Sequence, residues 1–124
     1  MRTFKTKLFH RWAAREGLSD EALSIAINEM IDGLVDADLG GHVYKKRVPL
    51  GSRGKSRAMR TLIAYRHGDT AFFIYGFDKN ERSNINRKEL LALRRLAGEL
   101  LDYREKSLKE ALKTNELFEV MSHG

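Results

Sequence analysis

The segment Thr70–Phe77 reads Thr-Ala-Phe-Phe-Ile-Tyr-Gly-Phe, apolar at nearly every position. A strand sends alternate side chains to opposite faces, so such a segment must be covered on both. It belongs in the middle of a sheet. The residues before it supply neighbours. Met59–Arg66 alternates, with β-branched and aromatic residues where a strand favours them, and His67-Gly68-Asp69 supplies a tight turn between the two. Val43–Val48 reads as a further strand with a cationic face, introduced by the chain break at Gly40-Gly41. Pro49 is expected to stop it, because proline cannot donate to a ladder. Leu50–Ala58 contains Gly51, Ser52, Gly54 and Ser56, the composition of a mobile loop.

The flanking sequence is helical. Arg2–Phe4 can form a short first strand, after which Phe4, Leu8 and Trp12, with Phe9 and Ala13 beside them, outline one apolar helix face. Gly17 ends that helix as a left-handed cap would. Ser19 caps a second helix with Asp20 and Glu21 in its first turn and Leu23, Ile27, Met30 and Leu34 on its buried side, flanked by Ala26 and Ile31. The two form a hairpin that packs on the sheet. Asp78–Asn84 is a polar crossing at the end of the central strand. Asn86 and Glu89 make a capping-box variant that opens a helix with Leu90, Leu93, Ala97 and Leu100 on one face. Ser107 and Glu110 repeat the signature for a short helix over Leu108–Lys113, Leu117–Val120 can be a terminal strand, and the chain from Ser122 is expected to fray. No linker, repeat or low-complexity stretch interrupts residues 1–124, so the expectation is a single α+β domain ordered β-α-α-β-β-β-α with a small tail.

Charge narrows the function. Leu39–Gly68 holds eight cations (Lys45, Lys46, Arg47, Arg53, Lys55, Arg57, Arg60 and Arg66) and no acid, although the chain has 17 acids in all. Such a concentration repels itself unless a polyanion or an acidic partner neutralises it, and the net charge of +6 points the same way. The chain has no cysteine, which excludes disulfides and thiolate chemistry, and its four histidines lack ligand spacing and read as surface residues. Neither a metal nor another cofactor is expected. No apolar run approaches the ~20 residues of a membrane span, and MRTFKTKLFH lacks the apolar core of a signal peptide, so a cytoplasmic protein is expected.

Within the basic stretch, GSRGKSR does not have the spacing or helix entry of a phosphate-binding P-loop. Arg60 opens an otherwise apolar strand and can clamp a phosphate in two-pronged fashion. If the central strand runs antiparallel to the Met59 strand, its end brings Lys79 and Arg82 beside Arg60 and the basic loop. In the competing reading Glu81 and Arg82 simply pair with one another. No Ser-His-Asp or Cys-His set is suggested. A cationic pocket can still promote RNA cleavage, because the substrate's own 2′-hydroxyl is the nucleophile and guanidinium groups stabilise the phosphorane charge. Proton transfer would then fall to Lys55 or Lys79. The same groove can also bind RNA without cutting it.

Tyr44–Ile85, YKKRVPLGSRGKSRAMRTLIAYRHGDTAFFIYGFDKNERSNI, resembles the RelE/ParE superfamily of toxins from bacterial type II toxin–antitoxin systems. It is most similar to a RelE- or HigB-like branch with a version of Lys-Asn-Glu-Arg followed by Asn-Ile, and the resemblance extends over nearly the whole chain. It implies a small antiparallel sheet with an N-terminal helical hairpin and a C-terminal helix. It implies a ribosome-dependent mRNA endoribonuclease (an mRNA interferase) inhibiting translation, held by an antitoxin from a neighbouring gene, often of helix-turn-helix type. On that pattern Lys55 and Arg57 line the mRNA groove, Arg60 holds the scissile phosphate, and Lys79 and Arg82 form the basic cluster that ends the central strand. This makes Lys55, Arg60, Lys79 and Arg82 the catalytic candidates. The remaining cations of the acid-free stretch, Lys45, Lys46, Arg47, Arg53 and Arg66, are expected to bind RNA with Arg57. The chain departs from the RelE pattern at Asn80, where a second arginine is usual, and at Asn86, near a usual tyrosine. ParE-like members of the superfamily inhibit DNA gyrase instead.

Overall fold

The computed structural model describes residues 1–50, 57–68 and 70–121. Along the chain lie β1 (Thr3–Thr6), α1 (Lys7–Glu16), α2 (Asp20–Ile31), β2 (Ala37–Asp38), β3 (Val43–Leu50), β4 (Arg57–Tyr65), β5 (Ala71–Asp78), α3 (Arg87–Leu101), α4 (Glu105–Lys113) and β6 (Leu117–Glu119). The strands make one sheet in the order β2-β3-β4-β5-β1-β6. The fold is α+β, with β5 inside the sheet and covered on both faces. On one face Phe9 of α1 and Leu23, Ile27 and Met30 of α2 pack with Val48, Met59, Ile63 and Phe73. On the other, Ala97 and Leu100 of α3 and Leu108 of α4 pack with Val43, Leu62, Phe72 and Ile74.

Local signals set most of the boundaries. Gly17 closes α1 at φ 79°, a conformation that glycine adopts without a Cβ penalty. The Ser19 side chain accepts the Ala22 N–H at 3.1 Å and caps α2. Asn86 and Glu89 form a complete capping box at the start of α3.

Several expectations need correction. The sheet is mixed: β1 lies parallel to β5, while β6 pairs antiparallel with β1 on its other side. That neighbour is chosen by long-range topology, which no local signal announces. Because α1 begins at Lys7, Phe4 belongs to a strand and helical spacing counted from it is out of phase. Leu8 is consequently exposed, and the buried face of α1 is Phe9 and Ala13. Leu34 and Ile31 are exposed as well, Leu34 lying beyond the end of α2. Pro49 does not stop β3; it pairs opposite Ala58. The pairing of β2 with β3 reaches only Lys45, so no strand needs the N–H that Pro49 lacks. The two-residue β2 was not anticipated. Arg104, not Ser107, precedes α4, and it makes no capping bond through its side chain. The expected mobile loop and the frayed terminus fall on residues 51–56 and 122–124, outside the described residues.

One feature of β5 shapes its final turn of sequence. β4 and β5 pair as Leu62 with Tyr75 and then Ile63 with Phe73, leaving Ile74 as an extra residue. Ile74 and Tyr75 both turn to the α3 side, and the strand then resumes its alternation with opposite parity. Gly76 lands under Trp12, so closely that a Cβ there would sit 2.1 Å from the indole Cζ3. Gly76→Ala should therefore destabilise the fold by about 1–3 kcal/mol through overpacking. Urea unfolding checks this, and the penalty should shrink when alanine also replaces Trp12.

Candidate nucleic-acid interface

Side-chain parity sorts the cations. Directly opposite residues of neighbouring strands project to the same face, and Arg47 of β3, Arg60 of β4 and Phe77 of β5 are opposite one another. Leu62, two residues from Arg60, belongs to the α3 core, so this row lies on the α3 face. Lys45 shares that face, two residues before Arg47. α3 packs over Val43, Leu62 and Ala64, but Arg47 is exposed and Lys45 and Arg60 are only partly covered. Among the described residues this leaves a cationic end of the sheet that α3 does not cover.

Arg60 is its most unusual member. Its Nη1 is buried yet finds no hydrogen-bond acceptor among the described residues. A buried donor left without an acceptor costs about 1–3 kcal/mol, a penalty that an incoming anionic oxygen would remove. The end of β5 approaches this point as expected, with Asp78 opposite Met59 and Lys79 exposed immediately after it. The turn that follows is tightly built. The Asp78 carbonyl accepts the N–H groups of Glu81 (3.0 Å) and Arg82 (3.1 Å), and its Oδ1 accepts the Asn80 N–H at 2.9 Å.

Arg82 points to the same face, but four of its five guanidinium N–H groups are engaged. It donates to Glu89 through Nη1 (2.9 Å) and Nη2 (2.5 Å), to the Tyr75 hydroxyl (3.2 Å), and through Nε to the Asn84 carbonyl (2.9 Å). The partner of Arg82 is therefore Glu89, seven residues on, and not Glu81. Glu89 also accepts the Asn86 N–H within the capping box at 2.9 Å, so one carboxylate ties the turn to the start of α3. The hydrogen bonds from Arg82, helped by the Asn86 N–H and the guanidinium charge, hold the Glu89 carboxyl at about 2 despite a smaller opposing effect of burial.

Other candidates lie elsewhere. Lys46 projects to the opposite face, where it is buried beneath α2 with its Nζ 3.0 Å from Glu29. Period-2 alternation already forbids Lys45, Lys46 and Arg47 from sharing a face, which was the signal available in the sequence. Arg66 follows the far end of β4 and donates to the Leu101 carbonyl at 3.0 Å, at the close of α3. Arg53 and Lys55 lie outside the described residues, and Arg57 opens β4 opposite Leu50. His42 and His67 flank the end of the β3–β4 pair remote from Arg60. His10 is not a free surface residue: it stacks on Phe118 at 3.8 Å, and burial together with the Lys5 charge lowers its pKa against the pull of Asp20. Among the described residues no group of three or more His, Cys, Asp or Glu side chains could hold a metal ion. What the sequence reading overlooked is the aromatic component, Tyr75 and Phe77, whose rings lie 6.3 Å apart on this face.

A family model described as the RelE toxin of the RelE/RelB toxin–antitoxin system matches residues 1–120. The chain belongs to the RelE toxin family. It is thus the toxin of a toxin–antitoxin system, and an antitoxin is its partner. Searches of curated proteins and of solved structures gave no match. Among the described residues of this RelE toxin, no helix is long and apolar enough to cross a membrane.

The Arg82–Glu89 link makes a pH prediction. The folded-state pKa of Glu89, about 2, lies below its ordinary value of 4.5. The link's stabilisation is therefore fully present above about pH 4.5 and lost as pH falls towards 2. Unfolding measured across this range should show the wild type losing its advantage over Glu89→Gln as the medium is acidified.

Proposed function

We propose that this toxin is a ribosome-dependent endoribonuclease that inhibits translation by cutting mRNA on the uncovered end of the α3 face. The buried Nη1 of Arg60, which has no acceptor among the described residues, carries the reading. In the cleavage step the 2′-hydroxyl attacks the adjacent phosphorus and the 5′-oxygen departs, while negative charge gathers on the phosphoryl oxygens. Arg60 donates to those oxygens in a site already desolvated, where a preorganised donor is worth most. Lys79, exposed on the rim beside it, serves proton transfer, a role shared with Lys55 of the basic loop. Lys45 and Arg47 continue the cationic track along β3, and the RNA-binding role of Arg53 and Arg57 rests on the sequence alone. Arg82, its guanidinium committed to Glu89, positions the Lys79 turn and does not contact phosphate.

Lys46 and Arg66 drop out of the RNA track, since one is pinned to Glu29 and the other to the end of α3. Action on the ribosome places the toxin in the cytoplasm. The antitoxin, encoded by a neighbouring gene and of helix-turn-helix type, meets a strongly cationic surface and neutralises it with acidic or apolar contacts.

Induced expression of the chain with mapping of mRNA 5′ ends tests this. Growth arrest with new in-frame cuts in translated messages is expected, and Arg60→Ala should lower cleavage by about 10²–10³-fold. Arrest without cuts would instead indicate gyrase inhibition of the ParE kind. Purified toxin that binds RNA and never cuts it would be a binding module.

A further inference from the structure

β1 pairs with β5 only as far as Lys5 opposite Phe73, and α1 begins two residues later. Beside the unflanked end of β5 lies a notch of about 240 Å³, lined chiefly by Trp12 and Arg15 of α1, Tyr75 and Phe77 of β5, and Glu81 and Arg82 of the turn. Its walls are fixed. Trp12 is seated against Gly76, and Arg82 stands 5.9 Å over the Phe77 ring while Glu89, Tyr75 and Asn84 hold its guanidinium. Glu81 supplies the one carboxylate among these lining residues, and its side chain is exposed.

We propose that this notch is a base-binding subsite in which an unstacked nucleobase of the bound RNA packs on Trp12 and is read by Glu81, with a preference for guanine. The inference rests on the reading of the neighbouring cleft as an RNA face. Aromatic side chains accept any base through its π-face, so Trp12 by itself confers affinity without selection. Glu81 adds the selection. An ionised carboxylate only accepts hydrogen bonds. Guanine presents its N1–H and its N2 amino group side by side, matching two carboxylate oxygens. Uracil offers one N–H between two carbonyl oxygens, which a carboxylate repels, and adenine and cytosine offer an amino group beside a ring-nitrogen acceptor. The geometry also links the notch to the phosphate site. Phe77 is the cross-strand partner of Arg60, and adjacent strands lie about 5 Å apart. Trp12 approaches β5 from the α1 face, so an RNA strand with its phosphate on Arg60 reaches the notch by passing over the edge of β5 beyond the end of β1.

Trp12 is the chain's one tryptophan, so its fluorescence reports on this notch alone. The test titrates purified toxin with uncleavable 2′-O-methyl oligonucleotides that differ only in one base: guanine, inosine, adenine, cytosine or uracil. Guanine should quench Trp12 at the lowest concentration, and inosine, which lacks the N2 amino group, should need more. Glu81→Gln, at an exposed position, should keep salt-dependent binding but abolish the preference for guanine over inosine. Trp12→Leu should weaken binding by about 5- to 150-fold. Equal quenching by all five bases, or an unchanged preference in Glu81→Gln, overturns the subsite. Quenching by an antitoxin peptide and by no RNA assigns the notch to a protein partner, which overturns it too. Salt-dependent RNA binding that is lost in Arg60→Ala but leaves Trp12 fluorescence untouched removes the subsite and leaves the RNA face standing. No RNA binding of any kind removes both.

Discussion

The arrangement around the end of β5 depends on a single extra residue in that strand. Ile74 has no counterpart on β4, and from there the strand's side chains exchange faces. Phe73 points into the layer under α1 and α2, yet Phe77, four residues on, projects beside Arg60 on the opposite face. Regular alternation would have placed both on one side. The same reversal leaves Gly76 as the seat for Trp12 and gives Arg82 an aromatic ring to cover. The placement of Phe77 beside Arg60, the seat of Trp12 and the notch share this origin.

The sheet uses its cations in two ways. Lys5 and Lys46 are buried against α2, and each meets an acid of that helix: Asp20 at 2.8 Å and Glu29 at 3.0 Å. A buried ammonium needs such a partner, because removing one partner of a buried pair leaves an uncompensated charge. Burial alone would push the Asp20 carboxyl up, but the hydrogen bonds from Lys5 and from the Met121 N–H outweigh it and hold the group below its usual range. These two lysines fasten helix to sheet. Arg60, on the other face, has a buried donor that meets no acceptor among the described residues. The contrast is between charges satisfied within the fold and a donor for which the described residues supply no acceptor.

Much of this could be read from the sequence, for physical reasons that also mark where reading failed. Ser19, Asn86 and Gly17 declare helix ends through chemistry local to a few residues, and the apolar Thr70–Phe77 segment declares a doubly covered strand. Arg60 stood out because a cation at the start of an apolar strand is conspicuous. The pairing of Lys46 was hidden because Glu29 is distant in sequence, although alternation along Val43–Val48 could have separated it from Lys45 and Arg47. The bulge at Ile74 was invisible because Phe-Phe-Ile-Tyr is apolar in either parity. The partner of Arg82 was hidden for a similar reason. The alternative to a place beside Arg60 was pairing with its sequence neighbour Glu81, but the backbone turn at Asp78 and the capping box deliver Glu89. The parallel placement of β1 beside β5 lies wholly in tertiary topology.

The central claim is that an RNA phosphate completes the hydrogen bonding of Arg60 at the uncovered end of the α3 face. The most direct measurement is a nuclear magnetic resonance titration of isotopically labelled toxin with a short uncleavable RNA, following the arginine side-chain N–H signals and the backbone amides. A large shift and slowed exchange are expected for the Arg60 guanidinium, accompanied by shifts at Arg47, Phe77 and Lys79. The signals of Lys46 and of Arg66, at the far end of β4, should stay in place. Shifts centred instead around His67 and the N-terminus of β5, with Arg60 unmoved, would contradict it.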